Sequence, residues 1–163
     1  MNSLEKINSK IIWDWDMLPG IVSGWKNSNQ KIVFTNGCFD IIHHGHIELL
    51  SKAADLGNKL IVGLNTDTSV QHLKGPGRPL QDENSRSVIM AGFSFVDLVV
   101  MFPQDTPIDL ISLLKPDLLV KGGDYKAEEI VGYDVVTKKG GQVVIIKFME
   151  GYSTTSIVNK MKP

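Results

Sequence analysis

The most informative stretch of the chain is Thr35-Asn36-Gly37-Cys38-Phe39-Asp40-Ile41-Ile42-His43-His44-Gly45-His46. The apolar run Lys31–Phe34 precedes it and the amphipathic run Ile47–Ala54 follows it, which predicts a strand, a glycine turn and a helix. Backbone N–H groups at such a turn and at a helix N-terminus bind phosphate. His43 and His46, three residues apart, project from the same side of the first helical turn. The stretch therefore predicts a site that binds the phosphates of a nucleotide triphosphate.

A metal site is the main alternative for the histidine pair. A zinc site needs three or four ligands from protein side chains. The other histidines are His44 and His72, and the one cysteine, Cys38, has no partner cysteine. The strand-turn-helix context therefore favours phosphate over zinc, and we expect no metal held by the protein alone.

Length and composition predict one ordinary globular domain. The chain has 163 residues and a net charge of −1, whereas a nucleic-acid surface would need a basic excess, so we expect no nucleic-acid partner. No apolar run reaches the length of a membrane span and no signal peptide is evident, so we expect no membrane partner. A single cysteine excludes an internal disulfide and fits a cytoplasmic location.

Five apolar runs predict the buried strands of a parallel sheet. They are rich in Val and Ile and mostly do not alternate, which is typical of strands covered by helices on both faces. Helical patterns lie between them, so we predict a doubly wound α/β domain with a five-stranded parallel sheet. The predicted strands are Lys31–Phe34, Lys59–Leu64, Leu98–Phe102, Asp117–Val120 and Gln142–Ile146. The predicted helices are Ile47–Ala54, Glu83–Phe93, Pro107–Leu114, Glu128–Lys138 and Thr154–Met161.

The first thirty residues differ from the rest of the chain. Pro19-Gly20 interrupts them, and Ile21, Val22 and Trp25 suggest a short helix that packs on the core. We predict that residues 1–30 form an N-terminal helical extension packed on the core. Residues 31–163 then form the domain that carries the site.

Ligands of doubly wound sheets bind beyond the carboxyl ends of the strands. Lys74 and Arg78 lie on the loop Leu73–Pro79, which either reaches phosphate or is a solvated surface loop. Arg86 either contacts phosphate or pairs with Glu83. The segments that follow predicted strands are Thr35–Asp40, Asn65–Asp67, Pro103–Asp105, Lys121–Asp124, and Lys147 onward to Tyr152–Thr155.

Two of these segments have a specific reading. Gly122 and Gly123 permit close approach of the backbone to a ligand, or form only a tight turn, and their place after a strand favours the first. The hydroxyls of Ser153, Thr154 and Thr155 at the start of the last helix are ordinary N-caps that can also hold triphosphate oxygens.

Three motifs resemble those of the cytidylyltransferase-like nucleotidyltransferases. They are Gly37-Cys38-Phe39-Asp40 with His43-His44-Gly45-His46, Lys121-Gly122-Gly123-Asp124, and Tyr152-Ser153-Thr154-Thr155. Within that family, residues 31–161 resemble the adenylyltransferase branch of ADP-heptose synthesis. The stretches that resemble this branch are Thr35-Asn36-Gly37, Leu73-Lys74-Gly75, Asp105-Thr106-Pro107 and 116–126. In many bacteria that activity is fused behind a sugar kinase; no kinase-like segment is evident here, so we expect the stand-alone form.

The resemblance implies a Rossmann-like H-x-G-H fold and a reaction. The phosphate of D-glycero-β-D-manno-heptose 1-phosphate would attack the α-phosphate of ATP, giving ADP-heptose and pyrophosphate for the lipopolysaccharide core or another heptose glycan. Mg²⁺ would arrive with ATP. Because relatives of this fold often form dimers or larger assemblies, we expect a homo-oligomer.

The resemblance also implies roles for particular residues. Catalysis would be alignment and charge neutralisation, because the attacking phosphate is already an anion and needs no general base. The implied catalytic residues are His43, His46 and Lys74. Nucleotide contacts would come from Asn36, Gly37, Cys38, Phe39, Gly45, Arg86, Lys121, Gly122, Asp124, Tyr152, Ser153, Thr154 and Thr155. Contacts to the second substrate would come from Asp40, Arg78 and Tyr125.

Two other functions stay open at this point. The first is a cytidylyltransferase that acts on glycerol 3-phosphate or a similar alcohol phosphate; the loop Leu73–Pro79 and the stretch Lys121–Lys126 favour the sugar instead. The second is a nucleotide-binding module without turnover. The intact histidine pair and Lys74 argue against such a module, because a sensor has no need of the whole catalytic set.

Overall fold

Six parallel strands form the single sheet of this protein. The structure, a computed structural model, describes residues 1–161. Along the sheet the order is β1-β4-β3-β2-β5-β6, and the strands are β1 Ile11–Ile12, β2 Ile32–Gly37, β3 Lys59–Asn65, β4 Leu98–Phe102, β5 Leu118–Gly122 and β6 Gln142–Ile146. The predicted parallel α/β architecture is confirmed, but the prediction of five strands is wrong.

The helices connect these strands and cover both faces of the sheet. None of the helices within residues 1–161 combines the length and the hydropathy that a bilayer span requires. The helices are α1 Ser3–Asn8, α2 Leu18–Asn27, α3 His44–Ala54, α4 Asp67–Lys74, α5 Glu83–Ala91, α6 Ile108–Leu114, α7 Tyr133–Thr137 and α8 Thr154–Met161. Short 3₁₀ turns occupy Trp15–Met17 and Ala127–Glu129.

Two hydrophobic layers hold the helices on the sheet. On one face, Leu50 of α3 and Met90 of α5 pack against Leu60 and Val62 of β3. On the other face, side chains of α2 and α6, Leu18 and Ile111 among them, pack in a second cluster with Phe34 and Ile61. Because every central strand is apolar on both sides, its sequence shows a continuous run rather than an alternation.

The sixth strand comes from the N-terminal segment. Ile11 and Ile12 pair with Val99 and Val100 of β4 at the edge of the sheet. The Lys10 ammonium donates hydrogen bonds to three carbonyl oxygens at the end of α5, those of Ala91, Phe93 and Val96, at 3.2, 3.3 and 2.8 Å. The segment thus contributes a strand to the sheet as well as helices. The sequence did not reveal this strand, because two apolar residues are too few to form a recognisable strand pattern.

Two predicted boundaries also change. Leu73 and Lys74 are the last residues of α4, a helix that was not predicted, so only the part of the predicted loop after them is irregular. The predicted helix 128–138 shrinks to α7, because Gly132 adopts a left-handed φ of 95° just before it. The predicted helix Thr154–Met161 is present as α8, and residues 162–163 of the predicted domain lie outside the described residues.

Leu18 tests whether the N-terminal segment belongs to the folding unit. Its side chain is 0% exposed in the layer between α2 and the sheet. We expect Leu18→Ala to lower the free energy of unfolding by about 2–5 kcal/mol, because it removes buried methyl groups and leaves a cavity. Urea denaturation at two protein concentrations measures this change and separates it from any change in assembly.

Leu4→Ala is the matched control, since Leu4 is an exposed residue of α1. Its free energy of unfolding should stay within about 0.5 kcal/mol of the wild type. If Leu18→Ala behaves like this control, residues 1–30 are an appendage to the core and not a part of it.

Candidate active site

A crevice opens where the sheet reverses its strand order. Strand β2 pairs with β3 from Ile32 to Gly37, but it pairs with β5 only through Val33 and Phe34. Beyond Phe34 the carboxyl ends of β2 and β5 separate. Two adjoining cavities lie there, a first cavity of about 250 Å³ and a second cavity of about 330 Å³. This is the place where an open α/β sheet binds its ligand.

Most of the residues proposed from the sequence line these cavities. The first cavity is lined by the predicted site residues Asn36, Gly37, Cys38, Phe39, Asp40, His46, Lys74, Arg78, Lys121, Gly122, Tyr125 and Thr154. Leu49 and Phe148 complete its wall and were missed. Phe148 lies only two residues beyond β6, so the rule that ligands gather after strands pointed to its segment but not to the residue.

The N-terminus of α3 faces the site without a side-chain cap. His43 is the N-cap residue, with an extended φ of −140°, and its side chain makes no capping hydrogen bond. The first N–H groups of a helix have no partner within the helix, so they can bind an anion here. Gly45 allows the His43 ring and Tyr152 to lie close to the backbone of this turn. A Cβ at position 45 would come within 3.2 Å of the His43 ring and 3.4 Å of Tyr152 Cβ.

The two histidines of the motif stack on each other. Their ring centroids are 3.8 Å apart at an interplanar angle of 24°. Phe39, held at a left-handed φ of 44°, meets the His46 ring edge-on with centroids 5.3 Å apart. Within residues 1–161, the buried Nδ1 atoms of both histidines have no hydrogen-bond partner. The pair is therefore positioned by packing and keeps hydrogen-bonding capacity for a ligand.

Burial keeps the histidine pair neutral. The pKa of His46 is lowered from 6.5 to about 4, first by burial and then by the neighbouring His43 and Lys74. Burial also lowers the pKa of His43. Two stacked rings next to a cation oppose protonation because each further positive charge would be poorly solvated. At neutral pH the pair acts as neutral hydrogen-bond donors and acceptors.

Lys74 brings a positive charge to the first cavity from the end of α4. Gly75 follows it with a φ of 87° and ends the helix, so the lysine sits on a helix terminus rather than within the predicted loop. Among the described residues 1–161, no carboxylate lies within ion-pair distance of Lys74. Its charge is thus available to a phosphate.

Asp40 fastens the loop that follows Lys74. Its carboxylate, 4% exposed, accepts hydrogen bonds from Arg78 Nη1 at 2.8 Å and from the backbone N–H groups of Leu80 and Gln81 at 2.9 Å. A carboxylate with these partners has little remaining capacity for a substrate. We therefore replace its predicted substrate contact by a role in holding Arg78 at the cavity wall.

Arg86 also differs from the prediction. Its side chain is buried, and its guanidinium donates to the carbonyl oxygens of Cys38, Asn65 and Gln81 and to Asp67 Oδ1, at 2.7–3.0 Å. These bonds tie the ends of β2 and β3 to the start of α5. Arg86 thus lies behind the cavity wall and acts on the nucleotide site through the backbone, not by direct contact, and it does not pair with Glu83.

Of the remaining predicted residues, Asp124, Tyr152, Ser153 and Thr155 lie outside the lining of both cavities. Ser153 Oγ accepts a hydrogen bond from the Ser156 N–H at 3.0 Å, so it caps α8, and Thr155 and Asp124 are exposed. Tyr152 packs edge-on against His44, with centroids 5.0 Å apart. His44, the middle residue of H-x-G-H, is exposed and lies outside the lining of both cavities.

The described residues offer no metal cage. Within residues 1–161, no cluster of three or more His, Cys, Asp or Glu side chains has the spacing of a metal site. Asp40, the carboxylate of the first cavity, is occupied by Arg78 and two N–H groups. Mg²⁺ commonly binds substrate phosphates and keeps several waters, so this donor set fits a Mg²⁺ ion that comes with ATP.

Two solved structures have folds similar to the parallel α/β fold of this chain. The lipopolysaccharide core biosynthesis protein of Thermoplasma volcanium is 28% identical with a TM-score of 0.61, over 76% of this chain and 99% of that one. The pantoate-β-alanine ligase of Francisella tularensis, solved with β,γ-ATP and β-alanine, has a TM-score of 0.58 over 92% of this chain and 76% of its own. At 17% identity the second likeness shows the fold alone. The fold is that of Rossmann-like nucleotide-binding α/β proteins.

Residues 34–160 match the cytidylyltransferase-like family, and the chain belongs to that family. It is therefore a nucleotidyltransferase. The bifunctional protein HldE of Nitrobacter hamburgensis is 49% identical over 93% of this chain, and that of Campylobacter jejuni is 56% identical over 84%. The chain spans 31% and 29% of the length of these two curated relatives.

The His46 side chain should be needed for turnover. We expect His46→Ala to lower kcat/KM by at least ~10²-fold, because a preorganised donor to developing charge is lost. ATP affinity should fall much less. Steady-state kinetics and ATP titration measure the two effects, and His44→Ala, on the exposed face of the same turn, is the control. Normal turnover in His46→Ala would remove His46 from the mechanism.

His46 should also make stability depend on pH. Its pKa is about 4 in the folded protein and 6.5 ordinarily, so the unfolded chain binds more protons between these values. The free energy of unfolding should therefore rise with pH across this window and fall on acidification. Urea denaturation should show a smaller slope for His46→Asn than for His44→Asn, the exposed control. Equal slopes would contradict the neutral, buried state of His46.

Lys74 should contribute to both binding and catalysis. We expect Lys74→Ala to weaken ATP affinity and to lower kcat, each by about tenfold or more, because its charge acts in the ground and transition states alike. Lys74→Arg should recover only part of the ATP affinity and of kcat, since a planar guanidinium does not replace a compact ammonium. Lys139→Ala, an exposed lysine on the opposite end of the sheet, should match the wild type in both measurements.

Proposed function

We propose that this protein transfers AMP from ATP to D-glycero-β-D-manno-heptose 1-phosphate, giving ADP-heptose and pyrophosphate. The observation that carries the proposal is the uncapped N-terminus of α3, where His46, stacked on His43, lines the same cavity as Lys74. The choice of the heptose rests on the motifs Leu73-Lys74-Gly75 and 116–126 that resemble the ADP-heptose branch. The identity of about 50% to the HldE proteins supports it.

The chemistry of the proposal asks little of the protein beyond alignment. An oxygen of the acceptor phosphate attacks the α-phosphorus, and pyrophosphate leaves with the bonding electrons. The neutral histidines donate hydrogen bonds to phosphate oxygens as negative charge moves toward the leaving group. Lys74 holds that charge from the end of α4, while Arg78, paired with Asp40, keeps the neighbouring loop in place. Thr154 and Ser153, at the start of α8, hold the outer phosphates.

Mg²⁺ enters this proposal with ATP. When bound, the ion neutralises the phosphate oxygens and makes pyrophosphate a better leaving group. The protein's own part is to keep the two histidines and Lys74 in place around those oxygens.

The setting of the enzyme is also proposed. Supply of ATP and a single cysteine fit a cytoplasmic location. A homo-oligomer is supported by apolar side chains that the N-terminal segment leaves exposed, among them Trp13 and Met17.

A pyrophosphate-release screen tests the proposal. ATP and CTP are each offered with heptose 1-phosphate and with glycerol 3-phosphate in the presence of Mg²⁺, and His46→Ala supplies the background rate. We expect turnover only with ATP and the heptose. Turnover only with CTP and glycerol 3-phosphate would replace the proposal by a cytidylyltransferase. ATP binding without turnover on any acceptor would replace it by a nucleotide-binding module.

A further inference from the structure

The second cavity adjoins the first and differs from it in charge. It shares a wall with the first cavity, formed by Asn36, Gly37, Cys38, Lys121 and Tyr125. Beyond that wall the two cavities differ in charge. The first cavity adds Lys74 and the ion pair of Arg78 with Asp40, whereas the second adds two acidic residues, Asp105 and Glu129. Carboxylates repel a triphosphate, so a nucleotide is held with its phosphates in the first cavity.

The lining of the second cavity suits a hydroxyl-rich ring. Asp105, Thr106 and Glu129 accept hydrogen bonds from hydroxyl groups, and carboxylates are the strongest such acceptors in a protein. Ile130 and Val131 lie on the same lining and offer contact to C–H groups. The Tyr125 ring, 53% exposed, adds an aromatic surface at the junction. Alternating polar and apolar contacts of this kind match a sugar.

Lys121 is the one cationic side chain that lines the second cavity. It lies in β5, next to Gly122, and it lines the first cavity as well. Within residues 1–161 no carboxylate lies within ion-pair distance of its ammonium. Burial lowers the pKa of Lys121, and an approaching phosphate would favour its charged form again.

Gly122 lets Phe148 and Leu49, two residues of the first cavity's wall, pack directly against the end of β5. A Cβ at Gly122 would stand 2.6 Å from Phe148 Cε1 and 2.8 Å from Leu49 Cδ2, so no larger residue fits without displacing that wall. The Lys121 ammonium is thus the charged group of β5 that can act at both cavities.

We propose that the second cavity binds the sugar of a sugar 1-phosphate and that Lys121 holds the sugar's phosphate at the junction, against the α-phosphate of the nucleotide. The inference rests on the proposed function and assigns its acceptor site. Two phosphates repel each other, and a cation that lines both cavities lowers this repulsion where they must meet. Lys121 is then a catalytic residue, while Glu129 and Thr106 read the hydroxyl groups of the ring.

The step at the junction balances without a proton transfer. One oxygen of the acceptor phosphate forms a new bond to the α-phosphorus of ATP. The bond from that phosphorus to the β-phosphate oxygen breaks, and pyrophosphate takes the electron pair. Lys121 stays protonated throughout and shifts its hydrogen bonds as the charge moves.

Four single variants test the assignment. Glu129→Gln removes a charge from the second cavity and Lys121→Gln removes the bridging cation. Glu128→Gln and Lys139→Gln are the matched controls, since both residues are exposed and line neither cavity. Thermal melts confirm that each variant is folded, and steady-state kinetics with ATP and heptose 1-phosphate give separate KM values for the two substrates.

We expect Glu129→Gln to raise the acceptor KM about tenfold and to leave the ATP KM within about twofold, since one charge-assisted hydrogen bond is lost. Lys121→Gln should raise the acceptor KM and lower kcat by about 10²-fold, because a cation at the reacting phosphates is lost. Its dissociation constant for ATP, measured without acceptor, should change less than about threefold, since the Lys74 cation of the first cavity remains. Both controls should match the wild type.

A binding experiment separates the inference from the proposed function. Heptose 1-phosphate is titrated calorimetrically into enzyme saturated with α,β-methylene ATP, and Glu129→Gln should weaken its binding about tenfold. If the wild type turns over but Glu129→Gln and Lys121→Gln alter only the ATP parameters, the inference is overturned and the proposed function stands. If the wild type neither binds nor converts a sugar 1-phosphate, both are overturned.

Discussion

The separation of two neighbouring strands is the constraint on which this site depends. Strand β2 is paired with β3 through all six residues from Ile32 to Gly37, but with β5 only through Val33 and Phe34. The chain leaves β2 toward β3 on one side, and β5 continues the sheet on the other. The backbone beyond Phe34 is therefore free of a partner on the β5 side. That opening admits a ligand to the ends of both strands, and both cavities of the site lie there.

Charge is distributed around this opening in two ways. Arg78 and Arg86 are paired with Asp40 and Asp67, so their charges are spent on fixing loops. Lys74 and Lys121 line the cavities, and no carboxylate among the described residues is within ion-pair distance of either. Paired arginines hold the walls rigid, and unpaired lysines keep their attraction for phosphate. Such a division allows a preorganised site to bind an anion with little rearrangement.

The sequence predicted the five longer strands of the described residues and missed the two-residue strand β1. The run Leu98–Phe102 became a strand with the same bounds, because its apolar side chains are buried. The run Gln142–Ile146 also kept its bounds, although it forms the other edge of the sheet and is only partly buried. Ile11–Ile12 is too short for any pattern, and it is a strand only because β4 offers it an edge. Helix α4 was missed because the glycines and prolines after Lys74 dominate the local signal.

The strand-turn-helix around His43 and His46 follows from the local sequence, since neighbouring residues set its turn, its helix start and the spacing of the two histidines. The partner of each long polar side chain depends instead on the tertiary structure. Arg86 donates to the carbonyl oxygen of Cys38, 48 residues away, and Asp40 accepts from Gln81, 41 residues away. A guanidinium or carboxylate binds whichever donor or acceptor the fold brings within about 3 Å. That choice is a property of packing between distant segments, and no local pattern encodes it.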